Sequence, residues 1–284
     1  MGKVGLVLEG GGMRGMFTAG VVDVLLQNDV RLDGLVGVSA GACFGCNYQS
    51  GQVGRGLRYN LTYSRDRRYC SIWSLVRTGD LFGADFCYRK VPLELDPFDV
   101  EAFDASDVPF WVVCTSVSTG EPVYHQCEKA GKDMLEWIRA SASMPMVSRP
   151  VEREGDYLLD GGIADPIPLA FFEQRGYERN VVVLTQPRGY VKRQSKMMPL
   201  MRRVLRTQPA IAQAMEDRPR VYNEEVAYVT AREQAGAAFV LCPDGPLPAH
   251  RVEHDPRRLT EAYFAGTRVA GRELDRLRAW MAGH

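Results

Sequence analysis

Three observations predict an α/β fold with a mostly parallel central sheet for this 284-residue chain. The chain opens strand, helix, strand: an aliphatic run at 3–8, a helical pattern at 17–27 and a second aliphatic run at 32–38. Two strands joined through a helix lie parallel, with a right-handed crossover. The runs also lack strict alternation, which is how strands covered by helices on both faces read. Lastly, Gly37-Val38-Ser39-Ala40-Gly41 falls where the second strand meets a small-residue segment at 40–46 that can start a helix.

The elements follow in order. The first strand runs into Glu9-Gly10-Gly11-Gly12-Met13-Arg14-Gly15, and the helix after it carries Val21, Val22, Leu25 and Leu26 on one side. The stretch 55–95 is irregular, basic and aromatic, with turn signals at 78–83, and is expected to be an insertion or lid near the active end of the sheet. Strands are predicted at 110–117 and 122–126, joined by Thr119-Gly120-Glu121, then a helix at 133–140. Tyr157-Leu158-Leu159-Asp160-Gly161-Gly162 is a strand ending in an acid and two glycines. Pro166 and Pro168 introduce a helix to about Gln174. Strands at 180–185 and 239–242 and a closing helix at 257–281 complete the pattern. No repeat or linker divides the chain, so one domain over 1–284 is expected, with a helical segment at about 195–235.

Composition removes several classes of function. Lysine plus arginine equals aspartate plus glutamate, 35 against 35, so no global charge calls for nucleic acid. No apolar run approaches the roughly 18 residues of a membrane span. Glu9 and Arg14 follow the first strand too closely to leave a signal peptide its apolar core. Leu6 stands where a myristoylation signal after Gly2 would need Ser or Thr. Seven cysteines at scattered spacing predict reduced thiols and a cytoplasmic setting. Cys43 and Cys46 form a lone C-x-x-C at i, i+3, read as packing residues on a helix face. No metal site and no cofactor is expected.

The chemistry gathers at three motifs. G-x-S-x-G between a strand and a helix is the context of a nucleophile elbow, in which Gly37 and Gly41 permit the sharp turn and Ser39 sits exposed and strained at the strand end. Taken alone, the motif also fits a Gly-rich turn with an incidental serine. Gly10, Gly12 and Gly15 spell the dinucleotide fingerprint G-x-G-x-x-G, but the second strand ends in Val38-Ser39 rather than in the acid that would hold a ribose. The other reading is an oxyanion hole: backbone N–H groups of Gly11, Gly12 and Met13 beside the nucleophile, with Arg14 holding the loop or adding positive potential.

These residues resemble the patatin-like phospholipase family. G-G-G-x-R-G is matched by 10–15, G-x-S-x-G by 37–41 and D-G-G by 160–162. The hairpin at 115–120 and the Arg139-Ala140-Ser141-Ala142-Ser143-Met144-Pro145 run agree as well. The resemblance covers roughly residues 4–185, and Glu9 departs from it where many members have Asp. The segment 55–88 matches nothing in plant patatins, which suggests a bacterial branch. The resemblance implies a three-layer α/β/α fold and ester hydrolysis, usually on lipids, by a Ser39–Asp160 dyad, with Gly161 and Gly162 forming the turn that supports the base.

Two competing readings remain at this level. An α/β-hydrolase triad would run Ser39, Asp160, then His250 or His254, against which stands the single strand before the elbow's own. A non-enzymatic module would use 10–15 as a cradle for an anion or lipid. His125, within a hairpin strand, and the terminal His284 are expected to be surface residues. Finally, 188–220 holds nine basic and two acidic residues, a local charge of +7. Met197, Leu200, Met201, Val204 and Leu205 recur there at helical spacing. That face either packs on the core or docks on an anionic membrane surface.

Overall fold

The structure, a computed structural model, describes residues 2–283; Met1 and His284 lie outside the described residues. The chain runs β1 (Val4–Leu8), a 3₁₀ turn (Gly12–Gly15), α1 (Met16–Gln27), β2 (Gly34–Val38) and α2 (Ala40–Gln49). Then come α3 (Arg55–Tyr63), α4 (Ile72–Thr78), a π-type helix (Phe86–Leu95) and α5 (Val100–Ala105). β3 (Phe110–Ser116), β4 (Pro122–Cys127), α6 (Lys132–Ser141), β5 (Val151–Arg153) and β6 (Asp156–Asp160) follow. The remainder is α7 (Leu169–Gln174), β7 (Arg179–Val183), α8 (Met198–Val204), α9 (Pro209–Gln234), β8 (Ala238–Leu241) and α10 (Pro256–Met281).

Five parallel strands in the order β3-β2-β1-β7-β8 form the centre of the sheet. Successive side chains of a strand point to opposite faces, and here both faces are covered. Leu6, Leu8, Leu35, Val112, Val181 and Val183 pack with α1, α6 and α10. Val7, Val36, Val38, Val113, Val182 and Val240 pack with α7 and α9. The result is the three-layer α/β/α arrangement, and it explains why the strand sequences do not alternate in polarity.

One detail of the sheet positions the site. β4 runs antiparallel along one edge of β3, from Phe110 to Thr115. The other edge is shared: β2 pairs with it as far as Val38↔Val113, and β6 takes over antiparallel from Cys114↔Asp160. The end of β2 and the end of β6 therefore abut on neighbouring residues of one strand.

Two segments differ from the sequence reading. Residues 55–95 are helical rather than irregular. Their aromatic residues pack on one another, as in Tyr63–Phe86 (5.4 Å) and Tyr69–Phe82 (6.2 Å), so no single 3.6-residue stripe marks them in the sequence. Part of the basic character is internal too: Arg55 is buried, bonded to Asn47 and 3.4 Å from Asp96. In the 188–220 run, the predicted apolar face splits. Helix α8 ends at Val204 and a 3₁₀ turn, Leu205–Thr207, follows it. Met198 and Leu205 are buried against Leu159, Ile163 and Met215, while Met197, Leu200 and Val204 are 53, 49 and 53% exposed.

Candidate active site

Ser39 stands between β2 and α2 with φ 53° and ψ −117°, a left-handed conformation that costs a non-glycine residue about 1–3 kcal/mol. Close packing imposes the turn. A Cβ on Gly41 would strike the carbonyl oxygen of Leu8, so β1 can approach the elbow only if that position is glycine. Gly37 lies under the same turn, against the backbone of Ala42. The strained residue is tied down by Ser141 at the end of α6. Its Oγ accepts the Ser39 N–H at 2.8 Å and donates to the Val113 carbonyl at 2.6 Å. Ser39 also opens α2, so the positive end of that helix lies beside its hydroxyl.

Asp160 reaches Ser39 because of the shared edge of β3. Its backbone is fixed on both sides: its N–H donates to Ser143 and its carbonyl accepts from the Thr115 hydroxyl, both at 2.8 Å. Its carboxylate accepts the Gly162 N–H at 2.7 Å, and Gly161 and Gly162 form the tight 3₁₀ turn beneath it. Burial pushes the Asp160 pKa up from the ordinary carboxylate range, while Arg218, the Ser39 hydroxyl, the Gly162 N–H and Arg251 pull it down. A carboxyl with those partners is desolvated yet can carry charge, the balance required of a base.

The glycine loop lies alongside. Gly12 has φ 59°, and a Cβ there would meet the Arg251 carbonyl oxygen. The N–H groups of Gly11 and Gly12 find no acceptor among the described residues. Met13 departs from the sequence expectation, because its N–H donates to the Arg251 carbonyl at 3.0 Å and is not free for an oxyanion. Arg14 keeps a buried Nε without a partner. Glu9, which the motif comparison left idle, is buried and accepts the Thr185 N–H at 2.5 Å, locking β1 to the chain beyond β7.

These groups line one cavity of 350 Å³. Ser39, Asp160, Gly10 to Arg14, Lys192, Arg218 and Arg251 meet there with apolar side chains such as Phe44, Tyr88, Val91, Leu135 and Ile138. The segment 55–95 supplies much of the apolar wall through Tyr59, Tyr69 and Phe82. Cys43 and Cys46 also line it as free thiols, and burial pushes both up, to about 12 and about 11. No histidine among the described residues lines the cavity. His125 stacks on Trp137 at 3.8 Å, and His254 Nδ1 lies 2.9 Å from the Ser64 carbonyl. Sequence reasoning missed Ser141, Glu9, Lys192, Arg218 and Arg251 as members of the site. In the sequence Ser141 figures only as part of the 139–145 run, Lys192 and Arg218 only as part of the basic 188–220 run, and nothing singles out Arg251.

The sheet, covered by helices on both faces and carrying a strained serine beside a buried carboxylate, defines a three-layer α/β/α protein. Comparison with known proteins gives the family. The patatin-like phospholipase family matches residues 6–172, and the chain belongs to it. A domain of unknown function (DUF6363) matches residues 208–282. The uncharacterized protein YjjU of Escherichia coli strain K12 is 34% identical over 196 residues, which is 66% of this chain and 53% of that protein. The lysophospholipase NTE1 of Kluyveromyces lactis is 28% identical over 187 residues, 61% of this chain and 12% of the relative. The chain thus spans about half the length of the first relative and far less of the second. Among solved structures, VipD from Legionella pneumophila covers 97% of this chain and 67% of its own, with 14% identity and a TM-score of 0.48. Among the described residues, no helix is long and apolar enough to cross a membrane.

Proposed function

We propose that this protein is a serine acyl hydrolase that cleaves carboxylic ester bonds of lipids, with Ser39 as nucleophile and Asp160 as its base. The observation that carries the reading is the adjacency of the two groups on one edge of β3, in a cavity lined by apolar side chains and a cluster of cations. In the first step Ser39 Oγ attacks the ester carbonyl carbon while Asp160 takes the hydroxyl proton. The Gly11 and Gly12 N–H groups receive the negative charge that develops on the carbonyl oxygen. The C–O bond then breaks, Asp160 returns the proton to the leaving alkoxide, and the acyl group stays on Ser39. Water attacks that ester, gives a proton to Asp160, and the serine recovers it as the acid departs.

The test is a fluorophosphonate probe together with turnover of a short-chain ester. Wild type should label covalently and turn over, and Ser39→Ala should do neither while melting as wild type does. A folded Ser39→Ala that retained turnover would refute the nucleophile. Absence of both labelling and turnover in wild type would favour a binding module.

Contact with a lipid surface belongs to the same reading. Ile72 and Val76 of α4 are 76% and 83% exposed, Trp73 lies between them, and the chain passes directly on to the cavity residues Leu81 and Phe82. The protein should sediment with anionic vesicles, and Ile72→Ser with Val76→Ser should weaken this. Equal recovery with and without vesicles would remove the membrane from the account.

A further inference from the structure

The cavity is charged unevenly. Arg14, Lys192, Arg218 and Arg251 line it, facing the carboxylates of Glu9 and Asp160, an excess of two positive charges. Arg55 also lines the cavity but is matched by Asp96. Among the described residues, none of the four cations comes within 4.0 Å of a carboxylate oxygen. Arg14, Lys192 and Arg218 are half-buried and Arg251 is exposed; charges withdrawn from water are normally paired, so the three half-buried cations leave room for an anion.

The hydrogen bonding says the same. The buried Nε of Arg14 has no partner. Arg218 spends Nε on the Gly162 carbonyl at 2.5 Å, which leaves the outer edge of its guanidinium for something else. The Lys192 ammonium lies 3.8 Å from the centre of the Tyr222 ring rather than on an oxygen. Burial, with repulsion from Arg218 and Arg251, pushes Lys192 down to about 7, and burial with Arg251 pushes Arg218 down to about 10. An anion placed among them would remove the repulsion.

We propose that Lys192, Arg218, Arg251 and Arg14 bind a phosphate monoester dianion carried by the alcohol half of the substrate. The enzyme then selects acyl esters of phosphorylated alcohols over those with a zwitterionic or uncharged headgroup. A group carrying nearly two negative charges at neutral pH would hold Lys192 protonated, and the excess of two positive charges then matches it. A phosphocholine headgroup would instead bring a fixed cation against guanidinium groups. Ser39, the cations and the apolar side chains line the same cavity, so an acyl chain and a phosphate of one substrate can be held together with the scissile ester. The proposal rests on the Ser39–Asp160 reading. Lys192, Arg218 and Arg251 lie beyond the segment that matches the patatin-like family and Arg14 within it, so three of the four cations come from this chain's later part.

The experiment compares three monomeric esters of one acyl chain: monoacylglycerol phosphate, monoacylglycerol phosphocholine and plain monoacylglycerol. Wild type should show kcat/KM at least about tenfold higher for the phosphate monoester, as charge-assisted bonds discriminate by that much or more. Lys192→Met and Arg251→Met should each shrink that preference by about tenfold, chiefly through KM, and Lys192→Arg should restore most of it. Thermal melts confirm that each variant is folded. Equal kcat/KM for the three esters, or a preference that survives both Met variants, overturns the phosphate site and leaves the hydrolase reading standing. Hydrolysis of none of the three overturns the hydrolase reading, and the site with it. A fourth arm adds inorganic phosphate: competition against plain monoacylglycerol supports the site when the phosphate ester is also preferred. The same competition without that preference assigns the cations to free phosphate and overturns the proposal.

Discussion

Ser141→Ala isolates the bond that holds the elbow. Ser141 Oγ is the acceptor for the Ser39 N–H and a donor to the Val113 carbonyl, at 2.8 and 2.6 Å in a fully buried position. Removing the hydroxyl orphans a buried N–H, at about 1–3 kcal/mol. In a chain of this size each kcal/mol moves Tm by about 2–4 °C, so a fall of about 2–12 °C is expected. The strain at Ser39 is of the same size, about 1–3 kcal/mol, so without its tether the elbow relaxes toward ordinary backbone geometry for part of the time. Displacing a reacting atom by about 1 Å can cost roughly a hundredfold in rate. The variant should therefore lose at least about tenfold in kcat, with slower fluorophosphonate labelling and little change in KM. Calorimetry or a fluorescence melt gives the first number and steady-state ester hydrolysis the second. Unchanged Tm and unchanged labelling would refute the tether. A lower Tm with full labelling would leave Ser141 a stabilising residue without influence on the nucleophile.

Two further predictions concern carboxylates. Asp160→Asn should lower turnover nearly as far as Ser39→Ala, because groups acting as one unit are not additive, whereas alanine at His125, His250 or His254 should be tolerated. Loss of turnover in a stable histidine variant would reopen the triad. In the wild type, activity should rise with pH on an acid limb placed above the ordinary aspartate range, since burial raises Asp160 and only its ionised form accepts the proton. A limb below that range would contradict the assignment. Stability should show the opposite slope through Glu225, which burial beside Asp165 pushes up to about 10. Between the unfolded value near 4.5 and that raised value the unfolded chain holds fewer protons, so stability falls as pH rises, by up to about 1.4 kcal/mol per unit. Glu225→Gln can still accept the Ile167 N–H and should flatten the slope; parallel curves of Tm against pH from 5 to 9 would exclude Glu225 as its source.

The parts of the site legible in the sequence are those whose geometry is local. A strand, a turn and a helix lie within ten residues around Ser39, and glycine at 37 and 41 is demanded by backbone contacts that few other residues survive. The strand runs were legible because helices cover both sheet faces and leave no polar alternation. What stayed hidden depends on partners distant in the chain. Ser141 meets Ser39 across 102 positions and Arg218 meets Gly162 across 56, and no spacing rule connects such pairs. Met13 was misread for the same reason: its N–H is taken by a carbonyl that enters from the loop before α10. In 55–95 the aromatic residues pack mutually, and in 197–205 Met198, Met201 and Leu205 form the inward stripe while Met197, Leu200 and Val204, on the neighbouring stripe, face outward. Periodicity alone reports neither arrangement.

The long-range contacts also bear on how the chemistry is distributed along the chain. The family match ends at residue 172, and it contains Ser39, the glycine loop and Asp160. Yet the turn under Asp160 is held from outside that span, by Arg218 of α9 through the Gly162 carbonyl. The same guanidinium is the largest charge drawing down the Asp160 pKa against burial. The loop that would cradle an oxyanion is likewise fixed by the Arg251 carbonyl through Met13. The two halves of the chain therefore meet at Asp160 and the glycine loop, not at a remote interface. A shift of α9 relative to the sheet would move the proposed base and its charge together, so substrate recognition by Arg218 would act directly on the reacting carboxylate.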